Sequence, residues 1–179
     1  TGDLATMKNA IAHEYATMLI DHNDPSEKIW LKEALAFYAQ ERLLSDVKFF
    51  GSGTAPSTPA ANQLTYVSFS KKSRIDQHHV YLFLTYLFEK YTQTDGWDII
   101  NSIAADADSS GIASVDEALS SFGYSETSKD VFIDFATACF LDLEHHDGVY
   151  EGKYAMDVVD LYGAPSGKNA GFLRYTDLK

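Results

Sequence analysis

Apolar residues recur at three- and four-residue steps along most of this chain, the spacing that gathers them on one face of a helix. Over residues 3–20 they are Leu4, Met7, Ile11, Ala12, Tyr15, Met18 and Leu19, and this stripe is expected to face the core. The pattern stops at Asp21, His22, Asn23, Asp24 and Pro25, which is turn chemistry. Pro25 suits the first turn of a second helix, where its missing N–H is not needed, and Asp24 suits the cap. That helix is expected to run to about Leu44, with Trp30, Leu31, Ala34, Leu35, Phe37, Tyr38 and Leu43 as its apolar positions.

Residues 51–62 are small and rich in Gly, Ser, Thr and Pro and read as a surface loop. Residues 64–70 alternate weakly and read as a short extended piece. A third helix is expected over 75–91, IDQHHVYLFLTYLFEKY, apolar nearly all round and therefore central and buried. A fourth starts at Asp95-Gly96-Trp97. A fifth starts at Ser114, where Ser114 and Glu117 match the S-x-x-E capping box, and ends at Gly123. A sixth spans about 128–143, with Val131, Phe132, Phe135, Ala136, Cys139 and Phe140 inward. Beyond His145-His146 the periodicity is lost, and 144–179 are expected to be irregular or short extended structure. The fold class is mainly α, in a single domain with no internal repeat.

Composition agrees with a folded chain: 179 residues, 45% hydrophobic and 13% aromatic, enough for a substantial core. The net charge of −12, from 26 acidic and 14 basic residues, repels nucleic acid and anionic membrane. No apolar run has the length of a membrane span. The one cysteine, Cys139, permits neither an intrachain disulfide nor a cysteine-based zinc site. It lies in an apolar helical run and reads as a core thiol. The chain opens on Thr1-Gly2 and is helical almost at once, as expected of a piece of a longer protein.

The candidate chemistry lies in IAHEYATMLIDHNDPSEKIWLKEALAFYAQE, residues 11–41. A zinc peptidase helix carries H-E-x-x-H, two histidines one turn apart with a glutamate beside them as base. His13 and Glu14 make the start of that pattern, but Thr17 stands where the second histidine belongs. A neutral hydroxyl is a poor zinc ligand. His22 lies nine residues from His13, about 900° around the helix and so on the opposite face. A substitute ligand would have to come from His78, His79, His145 or His146.

This segment resembles the active-site segment of gluzincin metallopeptidases, the hyicolysin-like neutral zinc proteases in particular. His13, Glu14 and Tyr15 match the first helix of that pattern. Trp30, Leu31, Glu33, Leu35, Tyr38 and Ala39 match the second. The later helices, YLFLTYLFEKY at 81–91 and those within 111–143, are similar in pattern to the family's. The resemblance implies a zincin-like helical C-terminal subdomain, with a β-rich half usually preceding it. It implies that His13 and Glu33 hold zinc-ligand positions and that Glu14 stands where the general base activates metal-bound water. It also places a peptidase of this kind outside the cytoplasm.

Three residues depart from the family's pattern. Thr17 removes a ligand, Phe37 replaces a carboxylate that would orient a ligating histidine, and Lys32 is expected to bring a cation near the metal position. The expectation is a catalytically inactive homologue with His13, Glu33 and Glu14 vestigial and no cofactor. It would serve as a binding or structural module for a protein or peptide ligand. The alternative is an active zinc peptidase with a rebuilt third ligand.

A second pattern, Asp106-Ala-Asp108-Ser-Ser110-Gly111 through Glu117, resembles an EF-hand calcium loop. Oxygen ligands fall at its positions 1, 3, 5 and 12, and glycine at 6. The rival reading is the capping box at Ser114 and Glu117. A calcium-dependent interaction domain is the third expectation for function.

Overall fold

The computed structural model describes residues 4–44, 74–91 and 97–144, together with Tyr154. Among these residues there are six helices and no strand: α1 (Leu4–Asn23), α2 (Ile29–Leu43), α3 (Arg74–Lys90), α4 (Trp97–Ala105), α5 (Ile112–Ser121) and α6 (Ser128–Glu144). The mainly α architecture read from periodicity is present. The expected loop at 51–62, the extended piece at 64–70, His145, His146 and nearly all of 144–179 lie outside the described residues.

Helix α3 is the axis of the structure. Val80 to Phe88 are buried without interruption, as an all-round apolar helix requires. Its one polar residue in that run, Thr85, donates its hydroxyl to the Tyr81 carbonyl at 3.0 Å, so no donor is stranded in the core. Helix α2 packs on one side of α3, with Tyr38 edge-on to Phe88 at 4.2 Å between ring centroids. Helix α6 packs on another, where Phe83, Tyr86 and Phe132 surround Phe135 at 5.6 to 6.1 Å. Such tilted aromatic clusters satisfy ring quadrupoles while burying large areas. Cys139 is buried in α6, as its apolar surroundings indicated.

Helix α1 packs chiefly on α2, and there the sequence reading requires correction. Leu4, Met7, Ile11, Tyr15, Met18 and Leu19 are exposed, not core-facing; the face turned inward carries Ala16 and Ile20. That face meets α2, and the larger apolar stripe is left outside.

Two helix starts also differ from expectation. Asp24 does not cap α2. Its Oδ1 instead accepts the backbone N–H and hydroxyl of Ser26 at 2.9 and 2.8 Å, an Asx turn that competes with helix initiation. Residues 21–23 remain in α1, and α2 begins only at Ile29, after Lys28. Helix α5 begins at Ile112 with Gly111 at its N-cap, and Ser114, two residues into the helix, is engaged elsewhere rather than in a capping box.

Candidate functional site

Antiparallel packing of α1 on α2 brings His13 and Glu33 together. His13 Nε2 lies 3.3 Å from Glu33 Oε2, with the two side chains 14% and 20% exposed. A carboxylate oxygen only accepts, so at this separation the attractive arrangement has the proton on Nε2. A zinc ligand must present a lone pair instead. The other ring nitrogen, Nδ1, is buried and has no hydrogen-bond partner among the described residues. The imidazole also lies against Phe37, with ring centroids 4.4 Å apart. An aromatic ring thus fills the side of His13 where a carboxylate could have oriented it.

Thr17 sits one turn beyond His13 and turns back on its own helix. Its hydroxyl donates to the His13 carbonyl at 3.0 Å, a local bond common for threonine in helices. Glu14 is exposed on α1. Lys32 does not reach the metal position; its ammonium pairs with Asp21 and donates to the Pro25 carbonyl at 3.2 Å. That expectation failed because the α1–α2 turn offers two oxygen acceptors close by, and Glu33 is already taken by His13.

Among the described residues, none completes a site for a structural or catalytic zinc ion. Such an ion needs three or four protein ligands. Two candidate ligands converge here, His13 and Glu33, and Thr17 supplies no third. Among the described residues no group of three His, Cys, Asp or Glu side chains could hold a metal. His78 and His79 fall on α3.

The loop between α4 and α5 holds the calcium-like pattern. Asp106 Oδ1 accepts the backbone N–H groups of Asp108 and Ser109 at 3.0 and 3.3 Å, and Oδ2 accepts the Ser109 hydroxyl. These donors, the hydroxyl first, hold the Asp106 carboxyl below the usual carboxylate range. Asp108 and Glu117 are exposed and Ser110 is half-buried. The ligand oxygens of Asp106 are thus engaged in closing the loop itself.

A carboxylate that the sequence did not single out locks this loop to the rest of the molecule. Glu27, only 4% exposed, reaches from the α1–α2 turn. Its Oε1 accepts the N–H groups of Lys28 and Gly111, and its Oε2 accepts the Ser114 hydroxyl at 2.9 Å. Its partners at 111 and 114 are 84 and 87 residues away, so no local spacing could have revealed it. Gly111 has φ +68°, and a Cβ there would lie 2.8 Å from Lys28 Cγ. Glycine is required both for the backbone angle and for the close approach.

No known protein family, curated protein or solved structure matches the chain.

Proposed function

We propose that this chain is a catalytically inactive homologue of gluzincin metallopeptidases, their helical subdomain kept as a binding or structural module. The observation that carries this reading is the closure of His13 on Glu33, with the Thr17 hydroxyl committed to the helix backbone. The residues stand where the family's pattern would put zinc ligands, and His13 Nε2 and Glu33 Oε2 are turned on each other. The Phe37 ring against His13 and the Lys32 ammonium directed to the α1–α2 turn agree with a site no longer arranged for a metal.

Metal content after incubation with zinc tests the reading. The unaltered chain is expected to emerge without stoichiometric zinc, and Thr17→His, which adds a second imidazole on the His13 face and so a third ligand, to bind it more tightly by at least about tenfold. Stoichiometric zinc in the unaltered chain, with peptide hydrolysis abolished by Glu14→Gln, would replace this reading with an active peptidase.

A second reading is a calcium-dependent interaction domain. Its support is the order of oxygen-bearing residues in the loop between α4 and α5, with Asp106 and Glu117 at positions 1 and 12 of the pattern and Gly111 at position 6 with φ +68°. Calcium held there would raise the melting temperature by mass action. A melting temperature that millimolar calcium leaves in place removes this reading.

A further inference from the structure

The outward stripe of α1 has an internal symmetry. Leu4, Met7, Ile11, Tyr15 and Met18 are all more than half exposed, at 54% to 62%. At 3.6 residues per turn they fall within an arc of about 80°, the width of a helix–helix seam. Their positions are palindromic about residue 11: Leu4 and Met18 lie seven residues either side of Ile11, and Met7 and Tyr15 lie four either side. Leu19 widens one flank, exposed at 43%.

A two-fold axis through Ile11, perpendicular to α1, superposes this arrangement on itself. Two copies of α1 laid antiparallel and face to face, related by a two-fold axis that passes between them at the level of Ile11, put Leu4 level with Met18 of the second copy and Met7 level with its Tyr15. Ile11 meets Ile11. Within each level the two residues lie on opposite sides of the seam's midline, which is how side chains interleave between antiparallel helices. An isologous contact needs one patch that is complementary to itself, and this stripe has that property.

We infer that a second copy of this chain covers the stripe, in a two-fold dimer whose seam is α1 against α1 in this register. Six large apolar side chains about half exposed present on the order of 600 Å² per copy. That is the upper end of what a monomer ordinarily leaves bare, and the two copies together reach about 1,200 Å², the lower edge for a specific interface. The helix is about 30 Å long, so the seam runs its full length.

Sedimentation of the full chain from micromolar to submillimolar concentration reads the association directly. The expected mass rises from the 19.9 kDa of one chain toward twice that value. Ile11→Glu puts two carboxylates on the axis and is expected to weaken association at least about 100-fold, with helical circular dichroism unchanged because Ile11 is exposed. Register is read by cysteines oxidised with oxidised glutathione, Cys139 being buried. Ile11→Cys should cross-link to itself, whereas Leu4→Cys should cross-link to Met18→Cys when the two are mixed and not to itself. A chain that stays monomeric throughout, a dimer indifferent to Ile11→Glu, or Leu4→Cys joining readily to itself overturns the proposal.

Discussion

Two carboxylates of this molecule each join distant parts of the chain, and they do so under opposite conditions. Glu33 meets His13 across α1 and α2 at 3.3 Å, in a pair that is partly open to solvent. Glu27 is buried and gathers three donors, two of them from the α4–α5 side. The first sits in the motif that a reader of sequences would notice. The second sits in an unremarked turn and carries more of the structure. A carboxylate that is recognisable by chemistry and one that is indispensable to the fold are here different residues, because recognition depends on spacing and indispensability on desolvation.

The largest expected effect is at Glu27. Glu27→Ala strands the buried Gly111 N–H and Ser114 hydroxyl, each worth about 1–3 kcal/mol when unsatisfied. The loss should be about 3 kcal/mol, or roughly 6–12 °C in melting temperature for a chain of this size. Glu27→Gln keeps an acceptor and should lose less. Equal melting temperatures for Glu27→Ala and the parent would mean that the junction contributes nothing.

Gly111→Ala tests the same junction from the other side. A left-handed angle costs a side chain about 1–2 kcal/mol, and the new Cβ meets Lys28 as well. Denaturant unfolding should show about 2 kcal/mol lost. If Glu27→Ala and Gly111→Ala are combined, the losses should be less than additive, because both open the same contact.

The His13–Glu33 pair should matter far less to stability. A double-mutant cycle with His13→Ala and Glu33→Gln is expected to give a coupling of about 1 kcal/mol or below, as for partly exposed ion pairs. A coupling as large as the Glu27 effect would erase the contrast between the two carboxylates.

The smallest effect is in acid. The N–H and hydroxyl of Thr127 hold the Asp130 carboxyl below its usual range, as Ser109 and its neighbours hold that of Asp106. Both groups bind protons less readily folded than unfolded. Their contribution is therefore complete above the ordinary aspartate value near 3.9 and is lost as pH falls through the lower folded values. Asp130 is exposed and Asp106 half-buried at the surface, so Asp106→Asn and Asp130→Asn should change the acid limb of the stability curve slightly and the neutral region hardly at all.

Much of the fold was legible because a period fixes a helix. α3 and α6 lie within a residue or so of where the apolar spacing put them, and Val131, Phe135 and Cys139 face inward as expected. What periodicity does not state is which surface covers a stripe. α1 carries a broad apolar stripe and a second, narrower face with Ala16 and Ile20, and the narrower one took the contact with α2. The start of α2 was misread because Asp24 and Pro25 carry signals for a cap and for a turn alike, and the Asx turn at Ser26 prevailed. Within the candidate site, helical spacing and the resemblance were enough to single out His13 and Glu33. Their mutual contact, the inward bond of Thr17 and the diversion of Lys32 needed coordinates. Glu27 was invisible for a different reason: its partners are set by tertiary packing, and a glutamate in a polar turn ordinarily faces water.

The close approach at Gly111 has an optical consequence. The indole nitrogen of Trp30 lies 3.6 Å from the position a Gly111 Cβ would take, and Trp30 is buried. The chain has two tryptophans, so with Trp97 replaced by phenylalanine the emission of Trp30 alone reports on this corner. A blue emission maximum marks the closed junction, and a shift to the red marks the entry of water. Opening of the helical structure at this point is thereby readable in a cuvette, on the timescale of mixing, with no label added.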